Sequence, residues 1–355
     1  MRVAWLVKRY YTNRDLIEDR FGRLYHLPVG LHKLGHEQLV VAADYRGQAS
    51  AEHLLDDVRF VSLPLRTARL PQFVRTAFEY IAAFKPDVVI ASADIPFGAI
   101  GRWFAKRLGV PFAFDVYDDY AAFASARIPG MKALFRRVLR QTDLCIFASP
   151  PLERRLKSLN ANTLVIENGI DPALFRPLSK TECRQRLGIA GPDKVIGFFG
   201  SIERNRGGET LIEAARILRM TEPNVRLLLA GANGLGREIN EPWVDYRGPR
   251  PQSEIPIMIN ASDVVTVPYH ATPLESMANA CKIAEYLACG VPVVATRVSN
   301  FPAIFASSPA ALCKPGDPAD LARTIREQFS ARQIPASGLA SFDWKALTSR
   351  FESKL

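Results

Sequence analysis

The stretch Val195-Ile196-Gly197-Phe198-Phe199-Gly200-Ser201-Ile202-Glu203-Arg204-Asn205-Arg206-Gly207-Gly208-Glu209 begins as a β-branched and aromatic run. It turns through glycines and arginines, then enters an amphipathic segment that continues to 218. A short apolar strand, a glycine turn and a helix are the parts of a βαβ unit. Moving outward, the same alternation appears on both sides. Strands are expected over 3–7, 38–42, 58–63, 88–91, 112–116, 144–148 and 163–166, and again over 195–199, 225–230, 244–247, 264–267, 292–295 and 311–312. Helical patterns over 24–34, 75–84, 99–108, 209–218, 255–260 and 282–288 lie between them. The sequence therefore predicts an α/β chain of two doubly wound, Rossmann-like domains in tandem. The break is expected where Asp171-Pro172, Pro177 and Gly188 interrupt the pattern. That gives domains over 1–175 and 176–338, with a C-terminal helix over 339–355 that packs back on the first domain. Ligands of open α/β sheets bind beyond the carboxyl ends of the strands, so the cleft between two such domains is the expected site.

A length of 355 residues suits two domains, and 48% hydrophobic with 23% charged residues excludes a disordered or fibrous chain. No targeting signal is expected at the N-terminus, because the apolar run over 3–7 is closed by Lys8-Arg9. Five scattered cysteines form no CxxC pair, which argues against a disulfide framework or zinc site and for a cytoplasmic location, at the inner face of the membrane as an alternative. The formal charge of +10 is lopsided: residues 1–180 hold 26 Lys/Arg against 18 Asp/Glu, and residues 181–355 hold 20 against 18.

Three segments carry chemistry. In the opening stretch, glycines let backbone approach a ligand, the helix start favours anions, and Arg204 and Arg206 add fork-shaped donors. A diphosphate fits that description, and so does a solvated turn. Gly231-Ala232-Asn233-Gly234-Leu235-Gly236 follows a strand but opens no sizeable helix, since Pro242 comes soon after; it reads as a ligand-facing loop or a plain turn, not a dinucleotide fingerprint. In Asn279-Ala280-Cys281-Lys282-Ile283-Ala284-Glu285-Tyr286, Lys282 and Glu285 share one helical face beside free backbone N–H groups. Lys282 and those groups suit phosphate and Glu285 suits ribose hydroxyls; the plain alternative is a surface ion pair.

Further landmarks fall in a fixed order: Gly35-His36-Glu37, Lys85-Pro86-Asp87-Val88-Val89, Glu167-Asn168-Gly169-Ile170-Asp171, Phe199-Gly200-Ser201, Arg247-Gly248-Pro249, Ala261-Ser262-Asp263-Val264, and Glu285-Tyr286-Leu287-Ala288-Cys289-Gly290-Val291-Pro292. Their ordered set resembles the retaining glycosyltransferases of the GT-B fold, family 4 (glycosyl transferases group 1), over nearly the whole chain. The resemblance implies two Rossmann-like domains facing across a central cleft. It also implies a donor, a nucleotide-diphosphate-sugar of UDP or GDP type, bound mainly by the second domain, with no required cofactor. The family's loop Arg falls at Ser201, just after Gly200, and its Lys at Arg206, with Arg204 as a substitute. Glu285 corresponds to the ribose ligand, and Arg250 lies where the base edge is met. Asn233, Asn279 and Ala280 belong to the same donor loops. The family's earlier Glu falls at Met277, with Glu275 nearby but out of register. In the first domain, Gly22 matches a glycine loop, and Tyr117 stands where a His is usual, beside Asp118. No Asp-x-Asp pair accompanies them, so no metal is implied. The expected activity is hexosyl transfer to a glycan or lipid-linked acceptor in cell-surface polysaccharide or glycolipid synthesis. The alternatives are an epimerase of the same fold or a non-catalytic sugar-nucleotide-binding regulator.

The basic excess concentrates over 127–157, where Arg127, Lys132, Arg136, Arg137, Arg140, Arg154, Arg155 and Lys157 face only Asp143 and Glu153. Met131, Leu134, Phe135, Val138 and Leu139 recur at helical spacing among them. Such a helix either lies on an anionic membrane or turns its apolar stripe to its own core. No helix-turn-helix, zinc or RNP-like motif accompanies the charge, so nucleic acid is not an expected partner.

Overall fold

In the computed structural model, Arg2–Lys8 lies inside an eight-stranded sheet ordered Thr163–Val165, Leu144–Phe147, Phe112–Val116, Val88–Ser92, Arg2–Lys8, Glu37–Asp44, Val58–Pro64, Ala51–Leu55. The structure describes all residues except 12–13, 48, 67–68, 280 and 336–341. Every pairing in this sheet is parallel but the last, an antiparallel edge pair. Parallel strands are covered by helices on both faces, so they read as continuous apolar runs; Val3, Ala4, Trp5, Leu6 and Val7 are fully buried. The edge strand Ala51–Leu55 escapes that pattern because Glu52 and His53 interrupt it and Ala51, Glu52 and Leu54 are exposed. It is closed by Asp56 and Asp57, both at positive φ (44° and 61°), the geometry of a tight hairpin turn. Helices Leu70–Phe84 and Ile95–Leu108 start about a turn before their apolar periodicity, because Pro71 and Pro96 pre-set the first turn.

The chain divides into two compact units, Met1–Gly169 with Trp344–Leu355, and Ile170–Asp343. The sequence placed the break at 175/176. In the structure Ile170 donates its N–H to Phe342 O at 2.8 Å, and Ile170 and Phe175 bury their side chains within the second unit. The expected 338/339 boundary lies outside the described residues. Helix Trp344–Glu352 belongs to the first unit, where Phe351 meets Trp5 edge-on at 5.9 Å and Trp344 stacks on His26 at 4.9 Å. A Cβ on Gly30 would fall on the Thr348 side chain, so this glycine lets the last helix close on Arg23–Lys33.

The second unit holds a six-stranded parallel sheet ordered Val244–Tyr246, Val225–Ala230, Lys194–Phe199, Val264–Val267, Val293–Thr296, Leu312–Cys313. Helices Gly208–Arg219, Cys281–Ala288 and Pro318–Ala331 pack on it through apolar faces. Among the described residues, no helix is long and apolar enough to cross a membrane. In helix Met131–Arg140 the stripe Phe135, Val138 and Leu139 is buried, while Lys132, Arg136, Arg137 and Arg140 are exposed. The apolar stripe is therefore spent on the protein's own core, and the outward face is basic alone.

Candidate functional site

Three glycine turns meet at the carboxyl edge of the second sheet. Gly200 follows Lys194–Phe199 at φ 140°, and Gly231 follows Val225–Ala230 at φ 143°. A Cβ on Gly231 would fall on the Gly200 carbonyl oxygen, and Gly231 N–H donates to Gly248 O at 2.8 Å. The loops can nest this closely only because those positions lack side chains. Ser201 is half-buried behind Gly200. Asn233 is exposed, donating from Nδ2 to Arg237 O at 2.8 Å and accepting from Leu235 N–H at 3.1 Å.

Lys282 runs from helix Cys281–Ala288 up against Gly200; a Cβ on that glycine would sit on its Cε. Lys282 is 7% exposed, and its ammonium donates to the Tyr269 hydroxyl at 2.9 Å, with the rings of Phe198 and Tyr269 at 5.4 and 5.3 Å. Among the described residues no carboxylate pairs with it. A buried cation held by a hydroxyl and two π faces is suited to an incoming anion.

Arg206 lies beside it on the glycine loop. Its Nε is buried and makes no hydrogen bond, with Glu203 at 3.5 Å and Glu275 at 3.9 Å. Burial works against its charge, but Tyr269, Glu203, Glu275 and Cys281 together hold its pKa above the ordinary value. Arg204 points away: its side chain is 73% exposed and pairs with Glu209 at 3.5 Å. Of the two arginines, the structure brings only Arg206 to the lysine.

Glu275, out of register in the sequence, is 3% exposed. It accepts from Asn205 Nδ2 at 2.8 Å and from Thr272 Oγ1 at 2.9 Å, and its own N–H bonds back to Thr272 Oγ1 at 3.2 Å. His270 N–H donates to Asn205 O at 2.8 Å, and a Cβ on Gly207 would fall on the Pro268 carbonyl oxygen. The acid thus fastens the arginine loop to the segment after Val264–Val267. The signal that exposes it is the Thr272-x-x-Glu275 spacing of a reciprocal cap. Glu285 is half-buried on the lysine's helix and, after burial itself, is the foremost group raising the Cys281 thiol to about 11. Asn279 is half-buried just before that helix, Ala280 lies outside the described residues, and Arg250 is exposed, donating from Nε to Arg247 O at 2.9 Å. Tyr269 was not foreseen; nothing in its local sequence marks it.

In the first unit, Gly22 sits at φ 72° before helix Arg23–Lys33, and a Cβ there would fall on the Tyr11 hydroxyl. Arg23, 1% exposed, forks onto Asp115 at 3.1 and 2.7 Å and donates to Ile166 O at 2.8 Å. Tyr117 packs against Tyr11 at 5.7 Å and Tyr120 at 5.5 Å. Burial first, then Asp118, pushes its phenol well above its usual pKa, so it stays protonated and able to donate. Asp118 accepts from Asp119 N–H at 2.8 Å.

The chain matches two family models, "Glycosyltransferase Family 4" over 23–174 and "Glycosyl transferases group 1" over 193–330. It is 26% identical over 286 residues to a D-inositol 3-phosphate glycosyltransferase of Mycolicibacterium vanbaalenii, covering 70% of this chain and 62% of that protein. It is 29% identical over 285 residues to a GDP-mannose-dependent alpha-mannosyltransferase of Mycobacterium tuberculosis, covering 75% and 71%. Its fold is that of Anabaena HepE, solved in complex with UDP-glucose, with a TM-score of 0.73 at 19% identity over the whole of both chains. The matched stretch thus spans less than two thirds of the first of these relatives. The two family models account for more than three quarters of the sequence, and with the two parallel sheets they establish that this chain belongs to the group 1 glycosyltransferases of the GT-B fold.

Proposed function

We propose that the protein is a retaining hexosyltransferase that moves a sugar from a nucleotide-diphosphate-sugar to a glycan or lipid-linked acceptor in cell-surface polysaccharide or glycolipid synthesis. The observation that carries this reading is the pair of cations at the Gly200 turn, the buried Lys282 and the half-buried Arg206, whose nearest buried carboxylate is already occupied by Asn205 and Thr272. Two charges converging on exposed backbone of a glycine loop match a diphosphate. Glu285 takes the ribose hydroxyls, Arg250 faces the base, and Ser201, Asn233 and Asn279 complete the donor loops. Relatives named for GDP-mannose and solved with UDP-glucose support a donor of either type.

In the proposed reaction the bond from the anomeric carbon to the diphosphate oxygen breaks as the acceptor oxygen attacks the same face. The acceptor proton passes to the departing phosphate oxygen. Arg206 and Lys282 stabilise the charge that develops there, which is the larger part of the barrier reduction. Tyr117 and Asp118 hydrogen-bond the transferred sugar or the acceptor. Because protein cations supply the positive charge, turnover should be unchanged by a chelator. The basic face over 127–157 supports contact with an anionic membrane, and five free thiols support a cytoplasmic location.

Met277, where the family carries its earlier Glu, lends weight to a binding-only regulator, and an epimerase of the same fold is the other alternative. Incubation with a panel of UDP- and GDP-sugars and acceptors separates the three. Glycosylated product supports transfer, an isomeric nucleotide sugar supports epimerisation, and tight binding without product supports a regulator.

A further inference from the structure

Helices Leu70–Phe84 and Ile95–Leu108 leave an open groove of about 540 Å³ on the first unit. Leu70, Val74 and Phe78 recur at i, i+4 and i+8 along one wall, next to the buried ridge Phe73, Ala77 and Ile81. Trp103 forms the other wall, with its ring 5.6 Å from that of Phe78. Leu70 is 43% and Trp103 44% exposed, large apolar groups brought together on one face. The Arg107 guanidinium lies over both rings at 5.8 and 5.5 Å, and Arg75 stands opposite. Arg66, Arg69 and Lys106 are exposed around the same helices, and on helix Leu70–Phe84 the one acid is Glu79, paired with Arg75 at 2.9 Å.

We propose that this groove is an insertion face for an anionic lipid bilayer. Binding at a bilayer surface needs both apolar side chains that enter the headgroup region and cations that meet lipid phosphates. Helix Met131–Arg140 offers only the cations, since its stripe is buried. The groove offers both: an exposed Trp and Leu, and cations around them, with the Arg107 guanidinium lying over the aromatic rings and Arg66, Arg69 and Lys106 exposed. The charge also decides against a second copy of the chain as the occupant. A two-fold contact would set this arginine rim against itself. The inference is independent of the donor site and rests on other residues than 127–157, although helix Ile95–Leu108 packs against helix Met131–Arg140.

Flotation of the full-length protein with phosphatidylcholine vesicles, with and without phosphatidylglycerol, tests it. The parent should float only with the anionic vesicles, and less as salt rises. Leu70→Ser with Trp103→Ser, and separately Arg66→Glu with Arg69→Glu, should each weaken partition about tenfold or more, with unfolding midpoints near the parent's. Reversal of Arg136 and Arg137 to Glu should weaken it less. A parent that does not float, groove variants that float like the parent, or a loss from the 136/137 reversal that equals theirs overturns the proposal. So does concentration-dependent dimerisation of the parent that the Leu70/Trp103 variant removes. Titration of UDP and GDP into the same variants keeps the two claims apart: intact nucleotide binding with failed flotation overturns this inference alone.

Discussion

Arg206 and Lys282 stand for opposite ways of keeping a cation inside a protein. Arg206 has acids near it but leaves Nε without a hydrogen bond, whereas Lys282 has a hydroxyl and two rings and no acid. Replacing Arg206 with Ala should cut turnover by roughly a hundredfold while weakening free nucleoside binding far less, since the loss falls on developing diphosphate charge. Equal turnover in steady-state assays of mutant and parent would remove Arg206 from the mechanism. Glu285→Ala should weaken nucleotide binding about tenfold through the ribose contact; unchanged affinity defeats that assignment. Glu275 has a structural duty, and its loss orphans Asn205 and Thr272. Glu275→Ala should lower stability by about 2 kcal/mol in urea unfolding, and Glu275→Gln, which keeps an acceptor, should recover most of it. If both variants unfold with the parent, the loop is not fastened there. The sequence marks Lys282 and Arg206 as candidates because charge next to a helix start and a glycine loop has a local meaning. Glu275 and Tyr269 were not, because their roles depend on contacts 70 and 13 residues away along the chain.

At the level of elements, buried parallel strands announce themselves as short apolar runs, so the core of both sheets could be read directly. Elements whose stability comes from elsewhere could not. The edge strand Ala51–Leu55 has no continuous apolar run and is held by its turn and its single neighbour. The Arg23–Asp115 fork was also hidden, since a buried ion pair looks in sequence like two surface charges. Helix Met131–Arg140 has an amphipathic pattern with two readings in sequence, a membrane face or a core stripe, and its buried Phe135, Val138 and Leu139 serve the core. The last helix gives a test of element packing. Gly30→Ala places a methyl on Thr348 and should cost about 1–3 kcal/mol, partly restored by adding Thr348→Ala. Thermal unfolding that is unchanged in the single variant would mean that the helix does not close there.

Over the whole molecule, the +10 charge divides into separate tasks. In the second unit the Lys282 side chain is buried and Arg206 is half-buried at the glycine turns, while the exposed excess of the first unit faces outward. The buried thiols set an alkaline limit on stability. Burial lifts Cys145, Cys289 and Cys313 from 9.0 to about 12. Their folded pKa lies above the unfolded value, so their contribution is fully present below about pH 9 and is lost as pH rises toward 12. Each thiol adds up to about 1.4 kcal/mol of destabilisation per pH unit in that window. Urea midpoints measured from pH 8 upward should fall in the parent and fall less steeply in the variant with all three replaced by Ala. Parallel slopes would exclude the thiols. The central claim is that the two cations at the Gly200 turn, Lys282 and Arg206, hold the donor diphosphate. Calorimetric titration of UDP and of GDP into the folded parent and into Lys282→Ala tests it most directly. The parent should bind one of them, and the variant should lose about tenfold or more in affinity. Equal affinities, or a folded parent that binds neither, would contradict it.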